Sequence, residues 1–498
     1  MASIEIVPSA PALLGSLRGV GYAPETALAD IIDNSISAGA GTVDLTLTWN
    51  NGDPRILIVD DGEGMDRAAL IEAMRFGGAG PAAERREGDL GRFGLGLKTA
   101  TLSQCRRLTV LSVRDASISC LSWDLDHIER NGLWEAQGCD PRRAGLKSDE
   151  LMRLGHGTAV EWSKFDAASG FDTCDEPAFL GNIEIIDRHL GMVFHRFISG
   201  DARRVAITIN GRAVRGWDPF LEAHEATIQT PEQRLNAPGG QVRIRGFVLP
   251  HRDRFKNAEE FEAAGGPGGW NAQQGFYVYR GKRLVVPGGW LGLGGSRAWT
   301  REESSRLARI RVDIGPPGDR HWRIDVRKSS ARLPAQLRKS LQRIAEDVRR
   351  QAREVFAWRG AQGTVRSSAS PERIWEARET RSGRRYAVRR DHPLTNAVRR
   401  ALGGQGDLLD ALLSSIEWSV PVERIWLDVS EAGGAAESVP EAADVTPLVR
   451  AVVELTKSLP SDLMPSVRIE RALRLIPPAA GRIIRPAVER LLSGEHQS

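Results

Sequence analysis

The chain has 498 residues, of which 41% are hydrophobic and 27% charged, and this balance suits about three globular domains. It contains no run of ~20 apolar residues and no charged-then-apolar leader, so we expect no membrane association and a cytoplasmic location. The net charge of +4 does not by itself require a nucleic acid partner. The cysteines form no Cys-x-x-Cys pair, so neither a zinc site nor a disulfide framework is expected; they are Cys105, Cys120, Cys139 and Cys174.

Residues 24–38 are predicted to form a helix, because apolar side chains recur at helical spacing and Pro24 suits a helix N-terminus. Asp30 and Asn34 are four residues apart, so they share one face of that helix. A carboxylate can orient and deprotonate a water for attack on phosphorus, and an amide oxygen is a suitable ligand for Mg2+. The alternative is an ordinary amphipathic helix with polar side chains on its wet side.

A buried strand is predicted at residues 56–59, and the turn sequence Asp60-Asp61-Gly62-Glu63-Gly64-Met65 follows it. A carboxylate at a strand end can accept a hydrogen bond from the amino group of adenine. Gly62 and Gly64 would let the backbone lie close to the base. The alternative is a plain acidic turn, while a calcium loop is disfavoured because the oxygen spacing of an EF-hand is absent.

A third segment, rich in glycine, leads into a helix predicted at residues 95–103. Backbone amides at a glycine turn and a helix N-terminus can hold phosphate oxygens. The P-loop pattern and the Gly-x-Gly-x-x-Gly fingerprint are both absent. Upstream, residues 76–89 are predicted to form either a mobile lid or a flexible surface loop. The segment consists of Gly91, Arg92, Phe93, Gly94, Leu95, Gly96, Leu97, Lys98 and Thr99.

In this order, and within about 70 residues, the three segments resemble the nucleotide site of the GHKL ATPases: gyrase B, the heat-shock chaperone of that superfamily, bacterial histidine kinases and MutL. The third segment, with Lys98, looks most like the MORC branch and its bacterial relatives. The resemblance implies an α/β sandwich of the Bergerat fold, with ATP and Mg2+ as cofactors of an ATPase. It implies that Asp30, where the family usually has Glu, is the general base, that Asn34 binds Mg2+, and that Asp60 binds adenine. The other residues implied to contact ATP are Ala38, Gly62, Gly64, Met65, the nine residues from Gly91 to Thr99, and Thr158.

Later in the chain, strands predicted at residues 205–210, 241–249, 275–280 and 309–314 resemble in position the transducer domain of MutL- and MORC-like proteins. In those proteins a lysine of the second domain reaches the terminal phosphate. The resemblance implies this role for Lys328, which follows an alternating strand that begins at Trp322; the alternative is a solvated turn residue. The predicted domains are 1–175 for ATP binding, 176–335 for the transducer-like α/β region, 336–358 for a long helix, 359–390 for a basic Gly/Ser/Arg linker, and 391–498 for a largely helical C-terminal region with a strand at 424–429.

Residues 338–400 are rich in arginine and include Trp375 and Tyr386, so they are predicted to bind a DNA backbone or to form a solvated charged linker and helix face. Together with the resemblance, this favours an ATPase that forms a homodimer on binding ATP and acts on DNA. The family relatives imply a bacterial restriction or anti-phage role, with partner proteins on the C-terminal region. The alternatives are a non-catalytic ATP-gated switch or scaffold and a chaperone-type ATPase. A histidine kinase is disfavoured, because no room for a phospho-accepting helix is expected before residue 30.

Overall fold

A computed structural model gives the fold and divides the chain into two compact units, residues 1–357 and 358–498, which are described separately. The structure describes residues 8–19, 21–76, 96–141, 146–167, 169–172, 175–200, 204–237, 239–295, 297–315, 319–322, 332–357, 374–380, 383–403, 406–420, 446–460, 464–475 and 478–494.

The first sheet of the first unit is built from eight described strands. They are β1 (Thr42–Thr48), β2 (Arg55–Asp60), β3 (Arg107–Arg114), β4 (Ser117–Asp124), β5 (Gln137–Gly138), β6 (Gly157–Ser163), β7 (Ala206–Ile209) and β8 (Arg212–Ala213). Their spatial order is β5-β4-β3-β6-β2-β1-β7-β8. Neighbouring strands are antiparallel except β1 and β7, which are parallel, with Thr42 opposite Ala206 and Leu45 opposite Ile209. The sheet therefore continues past the division predicted at residue 175.

Helices pack on this sheet and enclose most of its core. They are α1 (Ala10–Arg18), α2 (Pro24–Ser37), α3 (Arg67–Met74), α4 (Gly96–Gln104), α5 (Leu125–Asn131), α6 (Ser148–Leu154), α7 (Glu176–Val193) and α8 (His195–Ile198). Helix α2 forms where its apolar spacing predicts, with Leu28, Ile31 and Ile32 buried. Strand β2 alternates its side chains between two cores: Ile58 enters the large core, while Val59 enters a smaller one that includes Leu151 of α6.

The second sheet of this unit follows in the chain. It contains β9 (Ile228–Gln229), β10 (Gln233–Ala237), β11 (Gly240–Val248), β12 (Gly275–Arg280), β13 (Arg283–Pro287) and β14 (Ala308–Ile314). The order is β10-β11-β14-β12-β13, with β9 also on β11, and only β12 and β14 are parallel. The accompanying helices are α9 (Ala258–Gly265), α10 (Gly269–Ala272), α11 (Asp319–Trp322) and α12 (Ala335–Ala357). The strands predicted at residues 241–249, 275–280 and 309–314 thus form β11, β12 and β14 of this sheet, whereas the strand predicted at 205–210 forms β7 of the first sheet.

Helix α12 packs across β10, β11 and β14. Five apolar side chains at helical spacing on this helix are buried: Leu337, Leu341, Ile344, Val348 and Ala352. On the same helix, the buried guanidinium of Arg349 lies 4.6 Å from the ring centre of Trp290 and 4.5 Å from that of Trp299. Its Nη2 donates to Glu302 at 3.0 Å. A buried, paired arginine therefore anchors the helix to the loop that precedes β14.

The second unit begins with a hairpin of β15 (Trp375–Thr380) and β16 (Gly383–Val388). The helices that follow are α13 (Pro393–Ala401), α14 (Gly406–Ser419), α15 (Thr446–Ser458), α16 (Pro465–Leu473) and α17 (Pro478–Gly494). Val452, Leu473, Ile484 and Val488 lie in a core shared by the last three helices. The hairpin occupies the latter part of the predicted linker, and the strand predicted at 424–429 lies outside the described residues.

Two local predictions need correction. Strands β4 and β5 bring the Cα atoms of Cys120 and Cys139 to 5.3 Å, and the two cysteines form a disulfide bond, which the sequence pattern did not predict. Their distance depends on strand pairing, so Cys-x-x-Cys spacing carries no information about it. Trp322, predicted as the start of a strand, lies in helix α11, and the rest of that predicted strand lies outside the described residues. Across the described residues, every helix is too short or too polar to span a lipid bilayer.

Candidate nucleotide site

Helix α2 presents the predicted catalytic carboxylate to the start of α4. Asp30 is only 3% exposed, whereas Asn34, one turn further along, is exposed. A Cβ atom added to Gly96 would lie 3.8 Å from Asp30 Oδ2, so the start of α4 is within van der Waals range of this carboxylate. Gly96 is the first residue of α4, where backbone amides and the helix dipole favour negatively charged groups. The Asp30 carboxylate and the first turn of α4 therefore lie side by side.

Asp60 joins the first two predicted segments. It is buried at the end of β2, where Ser35 Oγ of α2 donates to its Oδ2 at 2.8 Å and the Gly62 amide donates to its Oδ1 at 2.9 Å. Burial raises the pKa of Asp60, and these two hydrogen bonds oppose the shift. Each carboxylate oxygen can accept more than one hydrogen bond, so the group retains capacity for a ligand amino group.

The glycines after Asp60 are required by close backbone contacts. The Glu63 amide donates to the carbonyl oxygen of Ala38 at 2.9 Å, and a Cβ on Gly62 would lie 3.0 Å from the Ala38 Cβ. Gly64 has a φ of +66°, and a Cβ there would lie 1.8 Å from the Val113 carbonyl oxygen. The glycine pattern thus lets this loop fit between the end of α2 and strand β3. The predicted approach of these glycines to the adenine base stays a prediction.

Thr158, which the resemblance implies to contact ATP, lies next to Asp60. It is buried on β6 directly opposite Asp60, and its hydroxyl is 2.9 Å from that of Ser112 on β3. The Ser112 hydroxyl also accepts from the Met65 amide at 2.8 Å. Ser112 and Ser35 were not among the predicted site residues. Ser35 lies beside Asn34 in the first segment, whereas Ser112 belongs to no motif, so only Ser35 carried a usable sequence signal.

The described part of the third segment starts α4. Gly96, Leu97, Lys98 and Thr99 form its first turn, and Lys98 is 3% exposed. The Lys98 ammonium donates to the Arg75 carbonyl oxygen just after α3. The predicted phosphate contacts of Lys98 and Thr99 remain predictions. Outside the described residues lie Lys328 and the five residues Gly91, Arg92, Phe93, Gly94 and Leu95.

The free energy of unfolding should increase with pH above about pH 8 in the wild type, and replacing Lys98 with methionine should reduce this increase. Burial lowers the pKa of Lys98 from 10.5 to about 8, with Glu72 opposing the shift. Between these values the unfolded chain binds more protons than the folded one, so the free energy of unfolding increases with pH. We expect the wild type to gain roughly 1–3 kcal/mol relative to Lys98→Met across this window. Denaturant unfolding at the two ends of the window measures this difference, and Lys339→Met at an exposed site is the control.

Residues 22–158 match the family described as histidine kinase-, DNA gyrase B-, and HSP90-like ATPase. This region contains α2, the Asp60 turn, α4 and Thr158, so the match and the geometry concern the same residues. The N-terminal region is therefore an ATP-binding domain of the GHKL class, as the resemblance of the three segments predicts.

Two relatives place the region near the MutL and MORC proteins. The DNA mismatch repair protein MutL of Rhodospirillum rubrum is 47% identical over 51 residues, which are 10% of this chain and 8% of that protein. The ATPase morc-1 of Caenorhabditis elegans is 29% identical over 98 residues, or 20% of this chain and 11% of that protein. The matched segments thus span about a tenth of each relative. The GHKL domain of this chain is thus similar to MutL and MORC over these segments.

Proposed function

We propose that the protein is a Mg2+-dependent ATPase whose ATP-bound form is a homodimer that acts on DNA. The observation that carries the proposal is the arrangement around α2: a buried Asp30 at the start of α4 and a buried Asp60 bonded to the same helix through Ser35. The Ser35 end of α2 can thus hold the adenine, and the Asp30 end can hold a phosphate group. The MutL and MORC similarity supports DNA as the target.

Each residue has a distinct task in this proposal. Asp60 accepts a hydrogen bond from the adenine amino group, and Thr158 lines the same pocket. Asp30 accepts the proton of the attacking water. Asn34 is exposed beside Asp30 and fits Mg2+, which binds few protein ligands and keeps several waters. When bound, Mg2+ would neutralise charge on the phosphates. Lys98, next to the glycine turn, would contribute a point charge to phosphate.

The ion pairs on α12 indicate which of its basic side chains are available for the predicted DNA contact. Arg350 is paired with Asp347 and Glu354 of its own helix, so its charge is offset locally. Lys339 and Arg343 are exposed, lie one turn apart, and make no ion pair with any described residue. We therefore assign the phosphate contact on this helix to Lys339 and Arg343. The expected site of action is the cytoplasm. The role implied by the resemblance of the sequence motifs is restriction or anti-phage defence, with partners on the C-terminal region.

The test is ATP turnover with Mg2+, with and without duplex DNA, combined with the solution mass in a non-hydrolysable ATP analogue. We expect turnover, a doubled mass with the analogue, and faster turnover with DNA. Lys339→Gln with Arg343→Gln should remove the DNA effect, because counterion release depends on these charges. Arg350→Gln, on the same helix but at a paired arginine, is the matched control and should retain it. Turnover that ignores DNA would contradict the DNA target and leave the ATPase standing.

The second function is an ATP-gated switch or scaffold without hydrolysis. It is favoured by Asp30, whose side chain is one methylene shorter than the Glu usual at this position. A carboxylate that fails to reach the attacking water would leave a protein that binds ATP, dimerises and stays closed. This function would be identified if ATP doubled the solution mass as the non-hydrolysable analogue does, while the wild type released no phosphate.

A further inference from the structure

A buried ion pair connects α2 to the second sheet. Arg283 Nε donates to Asp33 Oδ1 at 2.8 Å, and the two side chains are 5% and 1% exposed. Asp33 belongs to α2, and Arg283 is the first residue of β13, 250 residues later. Buried charges persist only with partners, because burial of an uncompensated charge is costly. The contact is therefore a specific joint between the nucleotide-site helix and the β12–β13 hairpin.

The arginine side of this joint is held on several sides. Arg283 Nη1 donates to the Leu284 carbonyl oxygen at 2.6 Å, and its guanidinium lies 4.6 Å from the ring centre of Phe194. Arg196 Nη1 lies 3.4 Å from the carbonyl oxygen of Gly281 at the hairpin turn. Helix α7 contacts both α2 and β13. The hairpin end is thus fixed against the helices that support α2.

The histidine beside the pair stays neutral. Burial lowers the pKa of His189 on α7 to about 3, and the Arg283 cation lowers it further while the Asp33 carboxylate opposes the shift. Among the described residues, His189 therefore adds no second positive charge beside Asp33 at neutral pH. The charged contact between α2 and the second sheet is carried by Asp33 and Arg283.

The aspartate side of the joint lies within the nucleotide site. Asp33 is three residues after Asp30 and immediately precedes Asn34 and Ser35, and Ser35 bonds to Asp60. Because a helix turns as a rigid body, a shift at Asp33 moves Asp30 and Asn34 with it. Asp60 is fixed independently by its strand and by the Gly62 amide. Loss of the Asp33–Arg283 ion pair should therefore displace the general base Asp30 more than it displaces Asp60.

We propose that Arg283 is a positioning residue for the reaction, which holds Asp30 in place through Asp33 and so makes hydrolysis depend on the β12–β13 hairpin. This inference rests on the proposed ATP hydrolysis. Misplacing a reacting group by about 1 Å can cost on the order of 100-fold in rate. Loss of the pair should accordingly lower kcat and leave nucleotide affinity nearly unchanged.

The experiment compares Arg283→Gln, Asp33→Asn and the double variant with the wild type, at full length. We expect each single substitution to lower kcat by about 10- to 100-fold while KM changes less than about threefold. The double variant has no unpaired charge, so it should recover stability but not kcat. Arg283→Lys, which keeps the charge, should recover part of kcat. Arg311→Gln is the matched control, because Arg311 is an ion-paired arginine of the same sheet that bonds to Glu222 and Asp313.

A second readout does not depend on turnover. Amide hydrogen exchange across α2 should increase about tenfold in Arg283→Gln and stay at the wild-type level in Arg311→Gln. If the wild-type protein does not hydrolyse ATP, the proposed hydrolysis is overturned. The amide hydrogen exchange of Arg283→Gln and Arg311→Gln would then decide by itself whether the β12–β13 hairpin is coupled to α2. Unchanged exchange in α2 together with unchanged kcat overturns the coupling. Equal losses of kcat and of exchange protection in Arg283→Gln and Arg311→Gln also overturn the coupling, since they would reflect general destabilisation.

Discussion

Replacing Asp30 with asparagine should reduce ATP hydrolysis by roughly 100- to 10,000-fold and leave nucleotide binding within a few-fold of wild type. The substitution removes the proton acceptor but keeps the size of the side chain. Asp30 is buried beside the first residue of α4, and the Asp60 pocket lies at the other end of the site. Phosphate release and the affinity for a fluorescent ATP analogue, measured on the same preparation, separate the two effects.

The matched control is Glu25→Gln in the first turn of the same helix. It makes the same carboxylate-to-amide change at a residue that is only partly buried and away from Gly96. We expect it to hydrolyse ATP at the wild-type rate. Loss of nucleotide binding in Asp30→Asn would assign Asp30 a structural role and contradict its function as the base. Hydrolysis retained in Asp30→Asn would contradict it as well.

Replacing Asp60 with alanine or asparagine should weaken nucleotide binding by roughly 1–3 kcal/mol, or about 5- to 150-fold in Kd. Alanine removes the acceptor proposed for the adenine amino group and leaves the Ser35 hydroxyl and the Gly62 amide without their shared partner, whereas asparagine replaces one of the two acceptor oxygens with a donor amide. Titration calorimetry with ATP and with GTP gives the effect. ATP binding should fall, and any preference for ATP over GTP should fall with it, because GTP lacks the amino group at that position.

Asp61→Asn is the control for the turn itself. Asp61 is the next residue and accepts hydrogen bonds from the Gly41 and Thr42 amides, so it stabilises the same loop without facing the pocket of Ser35 and Thr158. Its substitution should lower thermal stability and change Kd less than Asp60→Asn. Unchanged affinity in both Asp60 variants would rule out the adenine contact.

Local patterns predicted those parts of the site that depend on one segment. Helical spacing located α2, with Asp30 and Asn34 one turn apart, and the apolar run before Asp60 located β2. The glycines after Asp60 predicted a turn, and Gly64 has the positive φ that such a turn favours. These features follow from the rules of a single helix, strand or turn, so they can be read before the fold is known.

Contacts between distant segments could not be predicted in this way. Ser112 reaches Met65 across 47 residues, and Arg283 reaches Asp33 across 250. Each depends on strand register and on how two sheets are joined, and neither residue stands in a recognisable motif. The disulfide bond between Cys120 and Cys139 has the same origin, since a pair of edge strands sets their distance. Tertiary geometry, and no local rule, decides these contacts.

The parallel pairing of β1 with β7 has a consequence for folding during synthesis and for the choice of fragments to express. Until residue 209 has left the ribosome, β1 has no neighbour on its outer side, and the amide and carbonyl groups that meet Ala206 and Asn210 face water. Pairing across so long a separation delays completion of the sheet. A fragment that stops near residue 175 would carry this open edge permanently and invite strand-to-strand association between copies. The smallest fragment suited to expression should therefore extend through β8, to residue 213.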